Sequence, residues 1–171
     1  RRSIGLSVDK GVVVTYVHNA VAPGAGTIAV LVGLGSAGDA DALTALAKQL
    51  AMHIAATNPK AVSAADLDPE VLTKERKILS DQAKESGKPE EIIEKIVEGR
   101  IRKFQAEIVL TEQVFVIDNE TKISAVLENA GKELGSPISV AGFARFELGE
   151  GIEKKLEDFA AEVEAVKHAE S

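Results

Sequence analysis

Gly33-Leu34-Gly35-Ser36-Ala37-Gly38 has the spacing G-x-G-x-x-G, placed after an apolar β-rich run and before a helical pattern. In that context the spacing can hold a dinucleotide, because the glycines let the backbone approach a pyrophosphate seated on the amides of a helix N-terminus. The rest of such a site is missing. The helix leads into Asn58-Pro59 and an Ala-rich loop, not into a second strand ending in an acid about 20 residues further on. Asp39 and Asp41 stand at the helix start, where their charge competes with phosphate for the same amides. The run therefore reads as a flexible strand-to-helix connection, and a dinucleotide-binding domain is the weakest of the functional readings.

The three histidines, His18, His53 and His168, are far apart and have no cysteine beside them. No spacing among them matches a zinc set, and no serine sits in a nucleophile-elbow context. His53 borders the apolar face of a helix and reads as a packed, hydrogen-bonded core residue. His18 ends a strand at the mouth of a Gly/Pro loop, where binding residues concentrate. Neither catalytic residues nor a metal or cofactor are expected.

The elements that must position these residues belong to a chain of 171 residues with 45% hydrophobic and 27% charged positions, enough for one domain or two small ones. No apolar run approaches the roughly 20 residues of a membrane-spanning helix, and Arg1-Arg2 is not followed by the apolar core of a secretion signal. A soluble, unsecreted protein is expected. The absence of cysteine fits a reducing compartment. A net charge of −7 and 4% aromatic residues argue against nucleic acid as a direct partner and favour a protein or a small molecule. A chain that begins at Arg1 reads as a processed form or a piece of something longer.

Ile4, Leu6 and Val8 alternate with small residues, Asp9-Lys10-Gly11 supplies a turn, and an apolar run occupies 12–17, so the spacing predicts a hairpin. Residues 19–26 read as a loop and 27–34 as a strand covered on both faces. Leu43, Leu46, Leu50 and Ile54, spaced 3, 4 and 4, predict a helix capped by Asp39 or Asp41 and ended by Asn58-Pro59. Asp68-Pro69 starts a second helix that carries Val71/Leu72 and Ile78/Leu79 and stops at Gly87; Pro89 restarts a third with Ile93, Val97, Ile101, Phe104 and Ile108. These two predict an antiparallel helical hairpin whose i,i+4 charges are a solvated face. Asp118 or Asn119 is expected to cap a helix facing inward with Ile123, Val126, Leu127, Ala130 and Leu134. From Ile138 to Leu148 the even positions are apolar or Gly, which predicts one half-buried face of a strand. Ile152, Leu156, Phe159, Val163 and Val166 form a narrow seam on a final charged helix.

The expected fold is α+β: an antiparallel sheet packed by helices, with an inserted coiled-coil-like hairpin and a C-terminal helix. Residues 1–67 and 109–150 form the core subdomain, 68–108 the hairpin and 151–171 the C-terminal module.

Three stretches carry a resemblance. They are Leu50-Ala51-Met52-His53-Ile54-Ala55-Ala56, the run from Gly87-Lys88-Pro89 to Val97-Glu98-Gly99-Arg100, and Phe143-Ala144-Arg145-Phe146-Glu147-Leu148-Gly149-Glu150-Gly151-Ile152 followed by Asp158-Phe159-Ala160. Together, and in order along residues 1–166, they resemble the translation elongation factor Ts family. The resemblance implies a guanine-nucleotide exchange factor of protein synthesis. It would act in a cytoplasm of bacterial type or an organellar matrix, and would work by binding elongation factor Tu, not as an enzyme. It also implies that this chain is the second core subdomain, the hairpin and the C-terminal module. The family's Thr-Asp-Phe-Val motif, whose Asp-Phe pair acts near the partner's magnesium and nucleotide, does not occur in this sequence. Asp158-Phe159 matches the C-terminal module instead. Tyr16-Val17-His18 matches the strand end that meets the third domain of elongation factor Tu, so Tyr16, His18 and Asn19 are expected contacts. Phe159 and Val163 are expected to reach the partner's G domain. The competing reading is a structural module that associates with a copy of itself.

Overall fold

In the computed structural model, residues 3–85, 87 and 89–151 are described. The chain runs β1 (Gly11–Ala22), β2 (Ala25–Gly35), α1 (Ala40–Thr57), α2 (Pro69–Lys84), α3 (Glu90–Ile108), α4 (Ile123–Glu133) and β3 (Ser139–Glu147), with 3-10 turns at Ala64–Asp66 and Leu110–Glu112. The sheet is antiparallel in the order β1-β2-β3. This is the α+β class expected from the order of elements.

Helix α1 forms where its spacing predicted. The Asp39 carboxylate accepts from the Ala42 amide at 2.9 Å, and Asn58 closes the other end in the left-handed region that Asn tolerates, φ 49°. Its Ala47, Leu50, Ala51 and Ile54 are fully buried against Val14, Val30, Val32 and Leu34 of the sheet. Each of these apolar groups removed from water contributes about 1.5–3 kcal/mol for a Val- or Leu-sized side chain.

Three strand expectations need correction. Residues 3–8 form no strand; their alternation places Leu6 over Gly33 and Gly142, paired across β2 and β3 on the face away from α1. A Cβ at either glycine would lie only 3.1–3.2 Å from a Leu6 methyl, so the pair of glycines makes the slot that this side chain fills. The expected loop at 19–26 is mostly strand: β1 continues to Ala22, and only Pro23 and Gly24 turn the chain, with Gly24 at φ 73°. The third correction is in β3, whose even positions do not share one face. Gly33 pairs with Gly142 but Leu34 with Val140, so Ala141 is an extra, bulged residue. A one-residue insertion reverses the alternation beyond it, and Val140 and Phe143 both pack on the α1 side.

Helix α2 is capped as expected, Asp68 accepting from the Glu70 amide at 2.9 Å, but it ends at Lys84 instead of at Gly87. Ala83, Ile93, Val97 and Ile101 pack with Leu72 and Leu79 between α2 and α3, whereas Ile78 stays half exposed. The charged pairs Glu70–Lys74 and Glu98–Arg102 form on the outside, where such pairs contribute little. The base of the hairpin is sewn to the core. Ala61, Leu67 and Val109 cluster with Leu72 and Ile108, and the amides of Lys60, Leu110 and Thr111 reach the carbonyls of Ile108, Ala61 and Val62 at 2.7, 2.9 and 3.1 Å.

Helix α4 starts later than its expected caps. It begins after Lys122, which makes no side-chain cap, while the Asp118 carboxylate accepts from the Glu120 and Thr121 amides in the preceding turn. Those amide bonds hold the Asp118 carboxyl below the usual carboxylate range. Asn119 takes the left-handed conformation in the same turn, φ 56°. The C-terminal module, with Phe159 and Val163, lies outside the described residues.

Candidate functional site

The end of the sheet that carries the hairpin turn of β1 and β2 brings three strands together. The register aligns Tyr16 with Val30 and Val30 with Arg145; one step outward it aligns His18 with Ile28 and Ile28 with Glu147. Alternation puts both rows on the face toward α1, since Val14, Tyr16, Ile28 and Val30 all join the main core there. The His18 ring is exposed and is tied to the half-buried Tyr16 by a hydrogen bond of 3.0 Å between the tyrosine hydroxyl and Nδ1. Asn19 is next along the strand at φ 49°, and the strand bulges between Ala20 and Ala22. Val21 and Leu148, at the same end of the sheet, are 82% and 81% exposed, the most open of the large apolar side chains among the described residues.

Arg145 explains how this end is held. Residue Pro59 has no amide hydrogen, so the Ala55 carbonyl, four residues earlier, lacks the donor that a continuing helix would supply. Arg145 Nε donates to that carbonyl at 3.3 Å, and its Nη1 meets Glu147 Oε2 at 2.8 Å. The arginine side chain is 8% exposed, that of Glu147 48%.

A second anchor lies two residues before Ala55. His53 is fully buried; its Nε2 donates to Gln113 Oε1 at 2.8 Å and its Nδ1 accepts from the Val116 amide at 3.3 Å. Gln113 dictates this assignment, because its Nε2 donates to the Glu107 carbonyl at 2.6 Å and so turns Oε1 toward the histidine. Burial pushes the His53 pKa below its ordinary value, partly opposed by the Gln113 bond. His53 is thus the packed, bonded histidine that the sequence indicates, with Phe115 beside it at 5.9 Å between ring centroids. The last turns of α1 therefore join the sheet end, through Arg145, to the base of the helical hairpin, through Gln113.

Tyr16, His18 and Asn19 are brought together; Phe159 and Val163 fall outside the described residues. Sequence reasoning missed Ile28, Arg145 and Glu147 as neighbours of His18. Arg145 was a visible signal, a cation inside a strand pattern of apolar residues, but only the register shows what it stands beside.

The G-x-G-x-x-G run has its own occupants. Gly33 is buried inside β2, the Ala37 amide donates to Ser136 Oγ at 3.0 Å, and Asp39 holds the amide of Ala42. Gly38 packs where a Cβ would approach Leu134 to 3.1 Å. Among the described residues no group of three or more His, Asp or Glu could hold a metal ion, and no helix is long and apolar enough to cross a membrane. The arrangement holds the side chains at this end of the sheet in place through the Tyr16–His18 and Arg145–Glu147 contacts.

The family model described as elongation factor TS matches residues 1–150. Proteins called elongation factor Ts are similar over nearly the whole chain. That of Rhodospirillum rubrum is 60% identical over 165 residues, 96% of this chain and 53% of the relative. That of Rhodospirillum centenum is 59% identical over 163 residues, 95% and 53%, and that of Brucella ovis 54% identical over 165 residues, 96% and 54%. The chain spans about half the length of the curated relatives it matches. With the matched region covering the sheet, α1, the helical hairpin and α4, this chain belongs to the elongation factor Ts family.

Proposed function

We propose that this chain binds elongation factor Tu through the His18 end of its sheet, and that by itself it promotes exchange of GDP for GTP only weakly. The observation that carries the reading is the joined pair Tyr16–His18 at a three-stranded edge whose side chains are exposed on one side and anchored to α1 on the other. Asn19 belongs to this surface through its left-handed turn, and Phe159 and Val163 supply a second contact from the C-terminal module. Exchange of this kind needs no acid, base or metal. It requires that the factor bind the nucleotide-free state of its partner more tightly than the GDP-bound state, so that its effect is a difference of binding energies. The Thr-Asp-Phe-Val motif that the resemblance places near the nucleotide does not occur in this sequence. A chain that holds both states of the partner alike shifts neither. Release of GDP from elongation factor Tu, with and without this chain, tests the reading.

A second reading, association with another copy, is favoured by the sheet face away from α1. There Thr15, Ala29, Leu31, Ala144 and Phe146 border a shallow apolar hollow that Ile4 only partly covers. Sedimentation at increasing concentration tests it.

A further inference from the structure

The row that contains His18 does not end on its own strand. Ile28 is its neighbour on β2 and Glu147 is the next on β3. Adjacent strands lie about 4.8 Å apart, so His18 and Glu147 stand roughly 10 Å from each other with the half-buried Ile28 between them. That spacing fits one contiguous contact, an apolar centre flanked by two polar groups. Glu147 differs from an ordinary surface glutamate in how it is held. Arg145 is nearly covered and fixed at its Nε by the Ala55 carbonyl, so the Nη1 bond at 2.8 Å pins one carboxylate oxygen to the rigid end of α1. The other oxygen, Oε1, has no partner among the described residues. A side chain already ordered before binding loses less freedom on contact than a free one.

We propose that Glu147 is a partner contact in the same surface as His18, that Arg145 is the residue that positions it, and that it meets a lysine or arginine side chain of the partner. Of the pair Arg145–Glu147 the exposed charge is the carboxylate, because the guanidinium is covered, and complementarity then calls for a cation opposite. The inference rests on the proposed binding of elongation factor Tu and deepens it.

The test is the affinity of this chain for purified elongation factor Tu at low and high salt, for the unaltered chain and for the variants His18→Ala, Glu147→Gln, Arg145→Lys and Glu133→Gln. Glu133 is an exposed acid on α4 and serves as the charge-matched control. Expected is a roughly tenfold loss for Glu147→Gln, with a flatter dependence on salt and an unchanged melting temperature. Arg145→Lys should weaken binding while keeping the salt dependence, since the carboxylate remains; Glu133→Gln should match the unaltered chain. Unaltered affinity and salt dependence for Glu147→Gln, in a chain whose binding His18→Ala weakens, overturns the Glu147 contact and leaves the proposed function standing. Failure of the unaltered chain to bind overturns that function, and the contact with it.

Discussion

His53 Nε2 lies 2.8 Å from Gln113 Oε1, a bond between residues 60 positions apart that are both shut off from solvent. Gln113 also donates from Nε2 to the Glu107 carbonyl at 2.6 Å, and its Oε1 lies 3.0 Å from the Thr57 hydroxyl, whose one hydrogen it shares with the His53 carbonyl. Replacing Gln113 by Ala leaves the buried imidazole N–H and the Glu107 carbonyl without their partner. The expected loss is about 1–3 kcal/mol of stability, read as a lower midpoint in urea-induced unfolding.

The same pair sets a dependence on pH. Burial disfavours the charged ring, partly opposed by the Gln113 bond, so the folded pKa lies below the ordinary 6.5. Between the folded and unfolded values the unfolded chain binds more protons. Stability from this group is therefore fully present above pH 6.5 and is lost as pH falls from there through the lower folded value. Melting temperatures measured across that range should fall on acidification, and His53→Gln should flatten the fall.

The helical hairpin has its own apolar seam, and its base meets the core through a small cluster, the bond from the Lys60 amide to the Ile108 carbonyl and the bond from the Gln113 side-chain amide to the Glu107 carbonyl. Replacing 68–108 by a short linker is expected to leave a core that unfolds cooperatively, because the main cluster around α1 contains no residue of α2 or α3. Calorimetry of the shortened chain checks this; a broad, non-cooperative transition would place the hairpin inside the core's folding unit.

Features decided by near neighbours along the chain were legible in the sequence. The spacing of Leu43, Leu50 and Ile54 and the caps Asp39 and Asp68 marked helices at the right places, because periodicity and capping act within a turn or two. The bulge at Ala141 was not legible, since it exists only relative to β2, and with it went the facing of Phe143, Arg145 and Glu147. Leu6 alternates like a strand residue, yet its place is decided by the facing pair Gly33 and Gly142. Tyr16, His18 and Asn19 were expected contacts through resemblance and a strand end, and the structure adds only their places; that Ile28 and Glu147 stand in a row with His18 required the register.

Exchange by this chain should be slow even where binding is saturated. Decay of fluorescent GDP bound to elongation factor Tu is expected to quicken only slightly on adding the chain, because nothing in the sequence matches the Thr-Asp-Phe-Val motif that the resemblance places near the partner's nucleotide. Rapid release at low concentration of the chain would locate that leverage in the sheet, the hairpin or the C-terminal module.

Calorimetric titration of elongation factor Tu with this chain and with its His18→Ala variant tests the binding surface most directly. The predicted result is binding by the unaltered chain that the substitution weakens by about 1–3 kcal/mol, as for a residue near the centre of a contact. No binding by the unaltered chain, or equal affinities for the two, contradicts it.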